Sequence, residues 1–142
     1  MAASTFSGPI KSGTVREGAL ANVGYSINAQ SKTIGFVAAA GATDAVFYLP
    51  INSQIIDIIV DSTVAYDSVT SAALTIGTAS AGTQYASSQD VKAAAGRTRP
   101  TFTAAQLTAM AAIAAEPIYA TVTRVGTSTA GSVSVTLVYA QK

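Results

Sequence analysis

Gln54-Ile55-Ile56-Asp57-Ile58-Ile59-Val60-Asp61 is the densest run of β-branched residues in this 142-residue chain. Side chains branched at Cβ are stiff at χ1 and fit a pleated, at least half-buried surface. Successive positions on a strand point to opposite faces. Ile56, Ile58 and Val60 then share one side, and Ile55, Asp57, Ile59 and Asp61 share the other. The first side is wholly apolar and is expected in a core. The second mixes isoleucine with carboxylate, as a sheet face covered only in part would. Leu49-Pro50 before the run and Asp61-Ser62-Thr63 after it are credible stops. The stretch predicts a central strand.

Outward from it, the chain keeps the same period. Residues 44–49 alternate, with Val46 and Tyr48 opposing Phe47 and Leu49, and residues 25–30 and 32–38 are shorter strand candidates. Pro50-Ile51-Asn52-Ser53 reads as a turn, set by the fixed proline φ and the local bonding of asparagine. Downstream, residues 63–71 read as a loop carrying Tyr66 and Asp67, and residues 72–77 as a strand. Residues 78–83, with Gly82, read as a turn, residues 85–91 as irregular strand or loop, and residues 92–100 as a polar connection. Thr103-Ala104-Ala105-Gln106 fits a capping box, whose two ends satisfy orphan N–H groups at a helix start. Leu107, Met110 and Ile113 then give one apolar stripe, and Pro117 is the expected stop. Two long strands close the chain: residues 118–125, then residues 132–139 with Val133, Val135, Leu137 and Tyr139 inward. Residues 126–131 between them read as a Gly/Ser/Thr hairpin loop. These elements predict a mainly β, single-domain β-sandwich over residues 25–142, with a jelly roll as one form of it, one short helix, and an extended amino-terminal arm over residues 1–24. No internal repeat interrupts this pattern.

Hydrophobic residues make up 49% of the chain and charged residues only 11%, against roughly 25% in an ordinary soluble domain. The surface must then be largely neutral and hydroxylated. Little has to be desolvated when such a surface meets another protein, which favours a subunit of an assembly. The net charge of +1 offers no electrostatic footprint for nucleic acid or for an anionic membrane. No apolar run is long enough to cross a bilayer, and Met1-Ala2-Ala3-Ser4-Thr5 lacks the basic and apolar regions of a signal peptide. With no cysteine, disulfides and thiolate chemistry are excluded.

The search for reactive constellations is mostly negative. The absence of histidine and cysteine removes the commonest general base, the commonest zinc ligands and the thiol nucleophile. Asp57 and Asp61 share a strand face but stand about 13 Å apart at roughly 3.3 Å per residue, too far for a glycosidase pair. With Asp67 they could supply oxygen ligands to a cation; solvated or arginine-paired carboxylates are the simpler reading. Arg97 and Arg99 flank Thr98 and would point the same way on an extended segment, where they could grip a partner carboxylate by bidentate bonds or simply be solvated. The six tyrosines are too scattered for a carbohydrate platform and suit core or interface packing. Residues 1–24 hold Gly8-Pro9, Gly13, Gly18 and Gly24 without a sustained apolar period. They are either a loosely ordered terminus or an arm that orders on a neighbouring subunit, with Ile10, Lys11, Val15, Arg16 and Glu17 as its contacts. No catalytic, cofactor-binding or metal-binding residue is predicted, and an enzyme is not expected.

Leu49-Pro50, Ile56-Asp57-Ile58-Ile59-Val60, Thr63-Val64-Ala65-Tyr66-Asp67 and Ala73-Leu74-Thr75-Ile76-Gly77-Thr78 follow one another in an order that resembles small structural proteins of tailed bacteriophages. Ala81-Gly82-Thr83-Gln84-Tyr85-Ala86, the closing strand at residues 133–139, and the Gly8-Pro9-Ile10-Lys11-Ser12-Gly13-Thr14 stretch extend the likeness over nearly the whole chain. The chain is most similar to head decoration, or cement, proteins. That resemblance implies β-sandwich or jelly-roll subunits, often homotrimers, on the outer capsid surface where major capsid subunits meet, with a terminal arm reaching a neighbour. The implied partners are the major capsid protein and further copies of the chain, with no nucleic acid and no membrane. No functional residue carries over, because the shared positions are β-core and turn residues. A tail, neck or fibre-associated β-module of the same virion fits the same pattern. A bacterial extracellular or carbohydrate-binding β-sandwich is a third reading, for which clustered exposed aromatics would be the distinguishing mark.

Overall fold

A computed structural model describes residues 25–67, 70–93 and 95–141, together with the backbone of two short strands, β1 (Thr14–Glu17) and β2 (Leu20–Val23), which pair antiparallel with each other. Eight further strands follow: β3 (Ser26–Gly35), β4 (Gly41–Phe47), β5 (Gln54–Val64), β6 (Ser71–Gly77), β7 (Ala86–Asp90), β8 (Gly96–Thr98), β9 (Ile118–Val125) and β10 (Ser132–Gln141). The short helix α1 (Ala104–Met110) lies between β8 and β9. The strands form two four-stranded antiparallel sheets, ordered β3-β10-β5-β8 and β4-β9-β6-β7. Pairing is nested about the β6–β7 turn: β6 with β7, β5 with β8, β4 with β9 and β3 with β10. From β3 to β10, every connection other than that turn crosses from one sheet to the other.

The core lies between the two inner faces. Val133, Val135 and Leu137 of β10 and Ile58 and Val60 of β5 come from one sheet; Phe47 of β4, Leu74 and Ile76 of β6 and Ile118, Ala120 and Val122 of β9 come from the other. The alternation expected for residues 132–139 is the one observed, residues 118–125 form a strand as expected, and β5 is an inner strand as its sequence predicts.

Local differences each have a physical cause. The expected inward face of β5 is wrong at one residue: Ile55 is buried, whereas Ile56 is 49% exposed. A bulge opposite Val138 and Tyr139 is the reason, since Tyr139 pairs with Ile55 and Val138 with Asp57, leaving Ile56 without a partner. The extra residue resets the alternation, so Ile58 and Val60 still point inward. Residues 126–131 are not a hairpin. They carry the chain from β9 in one sheet to β10 in the other, and each of those strands already has a neighbour on both sides. Residues 25–30 and 32–38 merge into the single strand β3, whose ten positions pair continuously with β10.

The capping box forms as expected: Gln106 N–H donates to Thr103 Oγ1 at 3.3 Å, and Thr103 N–H donates to Gln106 Oε1 at 2.9 Å. The inward face is a different one, however. Gln106 and Met110, four apart, are buried, and Leu107 is exposed. The Gln106 carboxamide also donates to Thr83 O and Ser87 Oγ, at 3.0 and 3.1 Å, and that demand turns the helix. The helix ends at Met110, before Pro117, and Ile113 reaches the core from the segment beyond it.

Candidate interaction surfaces

β8 is three residues long and lies antiparallel to β5, with Asp61 opposite Arg97 and Val60 opposite Thr98. Extended spacing puts Arg97 and Arg99 on one side, as expected, and both find carboxylates on β5. Arg97 meets Asp61 and Arg99 meets Asp57, each at 3.0 Å. The arginine side chains remain about two-thirds exposed, at 69% and 67%. Each guanidinium has five N–H donors, so donors are left over for a further acceptor. The pairing also answers the question posed by Asp57 and Asp61, whose neighbouring cations are arginines. Among the described residues no group of three acidic, histidine or cysteine side chains is placed to hold a metal ion.

The rest of this outer face is hydroxylated. Thr33 and Ser134 hydroxyls lie 2.8 Å apart, Thr136 donates to Ser31 Oγ at 3.0 Å, and Thr63 donates to Ser132 O at 3.2 Å. Towards the other end of the strands the face turns apolar. Ile27 of β3, opposite Ala140, is 69% exposed, and the bulge between Ile55 and Asp57 leaves Ile56 exposed towards the same end of the sheet.

Asp67 does not join Asp57 and Asp61. It anchors the β9–β10 connection: Oδ1 accepts from Ser128 Oγ at 2.7 Å, Thr129 N–H at 2.8 Å and Ala130 N–H at 3.0 Å, and Oδ2 accepts from Thr129 Oγ1. The Thr129 hydroxyl first, then the Ala130 amide, the Ser128 hydroxyl and the Thr129 amide, hold its carboxyl well below the usual carboxylate range. Beside it, Tyr66 is buried and donates to Ile34 O at 2.8 Å. Burial pushes the Tyr66 hydroxyl up, opposed by the nearby Arg124 charge. Gly131, at φ 150°, lies against the Tyr66 ring, where a Cβ would stand 2.3 Å from a ring carbon.

Sequence reasoning missed Arg124. This side chain is buried on the inward side of β9, where it donates to Val37 O at 2.8 Å and Thr43 Oγ1 at 2.9 Å and has no carboxylate partner among the described residues. Its Nε is without an acceptor. The inward parity of position 124 in an alternating strand was the only available signal. Of the residues expected in the arm, Ile10 and Lys11 lie outside the described residues, and Val15, Arg16 and Glu17 fall in β1, whose backbone alone is described.

The outer face of the other sheet is partly roofed by residues 78–84. Thr121 faces outward from β9 yet is fully buried; its hydroxyl donates to Asp44 Oδ1 at 2.6 Å and accepts from Ala81 N–H at 2.9 Å. Ser80 Oγ donates to the same Asp44 oxygen at 3.0 Å.

No family model and no curated protein matches the sequence. Among solved structures the chain is similar to one in the cyanophage Pam1 capsid asymmetric unit, at 17% identity and a TM-score of 0.62, covering 100% of each chain. The fold is one that phage capsids contain. A chain in the capsid of Ralstonia phage GP4 is similar too, at 17% identity and a TM-score of 0.58, over 82% of this chain and 85% of that one. At these identities the likeness is one of fold, and it extends from end to end in the first case.

Proposed function

We propose that this chain is a structural protein of a phage virion, a decoration or cement subunit that binds the major capsid protein on the outer head surface and stabilises the head. The observation that carries this reading is the end-to-end likeness, in both directions, to a chain of the cyanophage Pam1 capsid. The nested strand pairing adds to it, since a long antiparallel hairpin wrapped into two sheets is the plan of a jelly roll, a fold common among viral capsid domains. The sequence adds an 11% charged composition without histidine or cysteine, which suits a contact surface better than a reaction centre.

Such a subunit works by summing many weak contacts over a repeating lattice, so that avidity replaces any single strong site. Two regions are assigned to those contacts. One is the amino-terminal arm, through Ile10, Lys11, Val15, Arg16 and Glu17. The other is Arg97 and Arg99, whose side chains stay largely exposed while Asp61 and Asp57 hold them in place. The subunits associate with one another as homotrimers, the order implied by the resemblance.

Adding the purified chain to heads that lack it tests the role. Saturable binding that raises the temperature at which filled heads release DNA is the expected result. Heads that neither bind the chain nor gain heat tolerance would refute the cement role.

A further inference from the structure

The four edges of the two four-stranded sheets are protected very unequally. An exposed edge presents unpaired N–H and C=O groups, and proteins commonly blunt it by shortness, charge, bulges or cover. β8 is three residues long, β7 is five and has a register shift against β6, and β4 carries Asp44 beneath the roofing loop. β3 is ten residues long, and among the described strands it pairs with β10 alone, without a shift. Its one charge, Lys32, sits in the second half with Nζ 5.9 Å from the Phe47 ring centroid. The first half, Ser26-Ile27-Asn28-Ala29-Gln30, has no charge, proline or bulge, and it ends the apolar region around Ile27 and Ile56.

A separate two-stranded ribbon lies just upstream in the chain. β1 and β2 are four residues each and form a sheet of their own. Two-stranded ribbons are marginal in water without a further strand or surface. Only Gly24 and Tyr25 separate β2 from β3, the length of a tight hairpin link, yet β2 pairs with β1 and β3 with β10. Among the described residues, then, one copy holds both the ribbon and the β3 edge, and no strand pairing joins the two.

We propose that the β1–β2 ribbon of one copy adds to residues 26–30 of β3 in a second copy, extending the β3-β10-β5-β8 sheet by strand addition. A four-residue strand matches the five-residue stretch that lacks any blunting device. Main-chain hydrogen bonds supply the attraction, which explains how a contact can form with so few charges. Because each copy carries one ribbon and one edge, the contact is head-to-tail and closes into a ring when the rotation allows. The inference rests on the self-association part of the reading above, and it names the surface that receives the arm.

Sedimentation of the full chain tests it. The unmodified chain should sediment as an oligomer. Ile27→Lys with Ala29→Lys charges the edge at exposed positions, and Val15→Pro with Ala21→Pro breaks the ribbon; each double variant should be monomeric with an unchanged β-sheet circular dichroism spectrum. Mixing the two variants should give one-to-one pairs, since the first keeps its ribbon and the second keeps its edge. A monomeric unmodified chain, an oligomer that survives either double variant, or a mixture that stays monomeric would each overturn the strand addition. Whether the chain is found in purified particles is read separately, so failure of the virion reading and failure of this contact are told apart.

Discussion

The outer faces of the two sheets differ in what lies over them. On the β4-β9-β6-β7 sheet, the buried Thr121 hydroxyl, Asp44 and the residue 78–84 loop bond one another, so the loop roofs part of the face. Gly77 fits only because it has no side chain: a Cβ there would stand 2.5 Å from the Gly82 carbonyl carbon. On the β3-β10-β5-β8 sheet, hydroxyls bond to one another across strands, two arginines pair with two aspartates, and Ile27 and Ile56 are turned outward. Strands of similar period thus yield one face occupied by the chain's own loop and one face that none of the described loops roofs. The difference teaches where a partner can be accommodated without first displacing part of the protein.

The largest expected effect comes from adjacent isoleucines on β5. Ile58→Ala should cost about 2–5 kcal/mol, as cavity-forming core truncations do, whereas Ile56→Ala should change stability by no more than about 0.5 kcal/mol, as at other surface sites. Urea unfolding of both variants would check this, and equal losses would mean that the bulge does not set Ile56 outside.

A pair of glycines compares the sheets directly. Gly77→Ala should cost about 1–3 kcal/mol, the range for overpacking, and should speed amide exchange in residues 78–84. A Cβ on Gly35 of β3 meets nothing within 4 Å, so Gly35→Ala should be nearly neutral. Similar losses at both positions would break the contrast between a covered and an open sheet.

At the end of the sandwich the effect depends on pH. The carboxyl of Asp67 is held below its ordinary value, so the folded state binds its proton less readily than the unfolded chain does. The stability it contributes is present above about pH 4, the ordinary aspartate value, and is lost as pH falls through the folded value. The melting-temperature gap between the unmodified chain and Asp67→Asn should therefore be full at pH 7 and narrow steadily below about pH 4. A gap independent of pH would show that the bonds to residues 128–130 do not need the charge.

Among the polar contacts, the smallest effect belongs to the ion pairs of the open face. Arg97→Ala or Arg99→Ala should cost at most about 1 kcal/mol, and less at high salt, because exposed ion pairs are weak and screened. Double-mutant cycles with Asp61 and Asp57 would measure it.

What could be read from the sequence was what each strand says about itself. The alternation of Val133, Val135, Leu137 and Tyr139, and the capping box at Thr103 and Gln106, are local patterns, and both formed as expected. The errors arose where a distant segment decides. Whether Ile55 or Ile56 points inward is set by register against Val138 and Tyr139, and the Gly/Ser/Thr composition of residues 126–131 signals a turn without saying which sheet it enters. The parity of Arg97 and Arg99 was legible, but their meeting with Asp61 and Asp57 depends on cross-strand pairing. Gln106 and Arg124 were hardest, because buried polar side chains run against the usual preference and are held by backbone acceptors that only the folded chain supplies.

The most direct test of the proposed role is the copy number of this chain relative to the major capsid protein in purified particles, measured by quantitative mass spectrometry. A ratio of the same order as the capsid subunit is the result expected of a protein that decorates the lattice. A few copies per particle would move it to the tail, neck or fibre, and absence from particles would contradict the virion role itself.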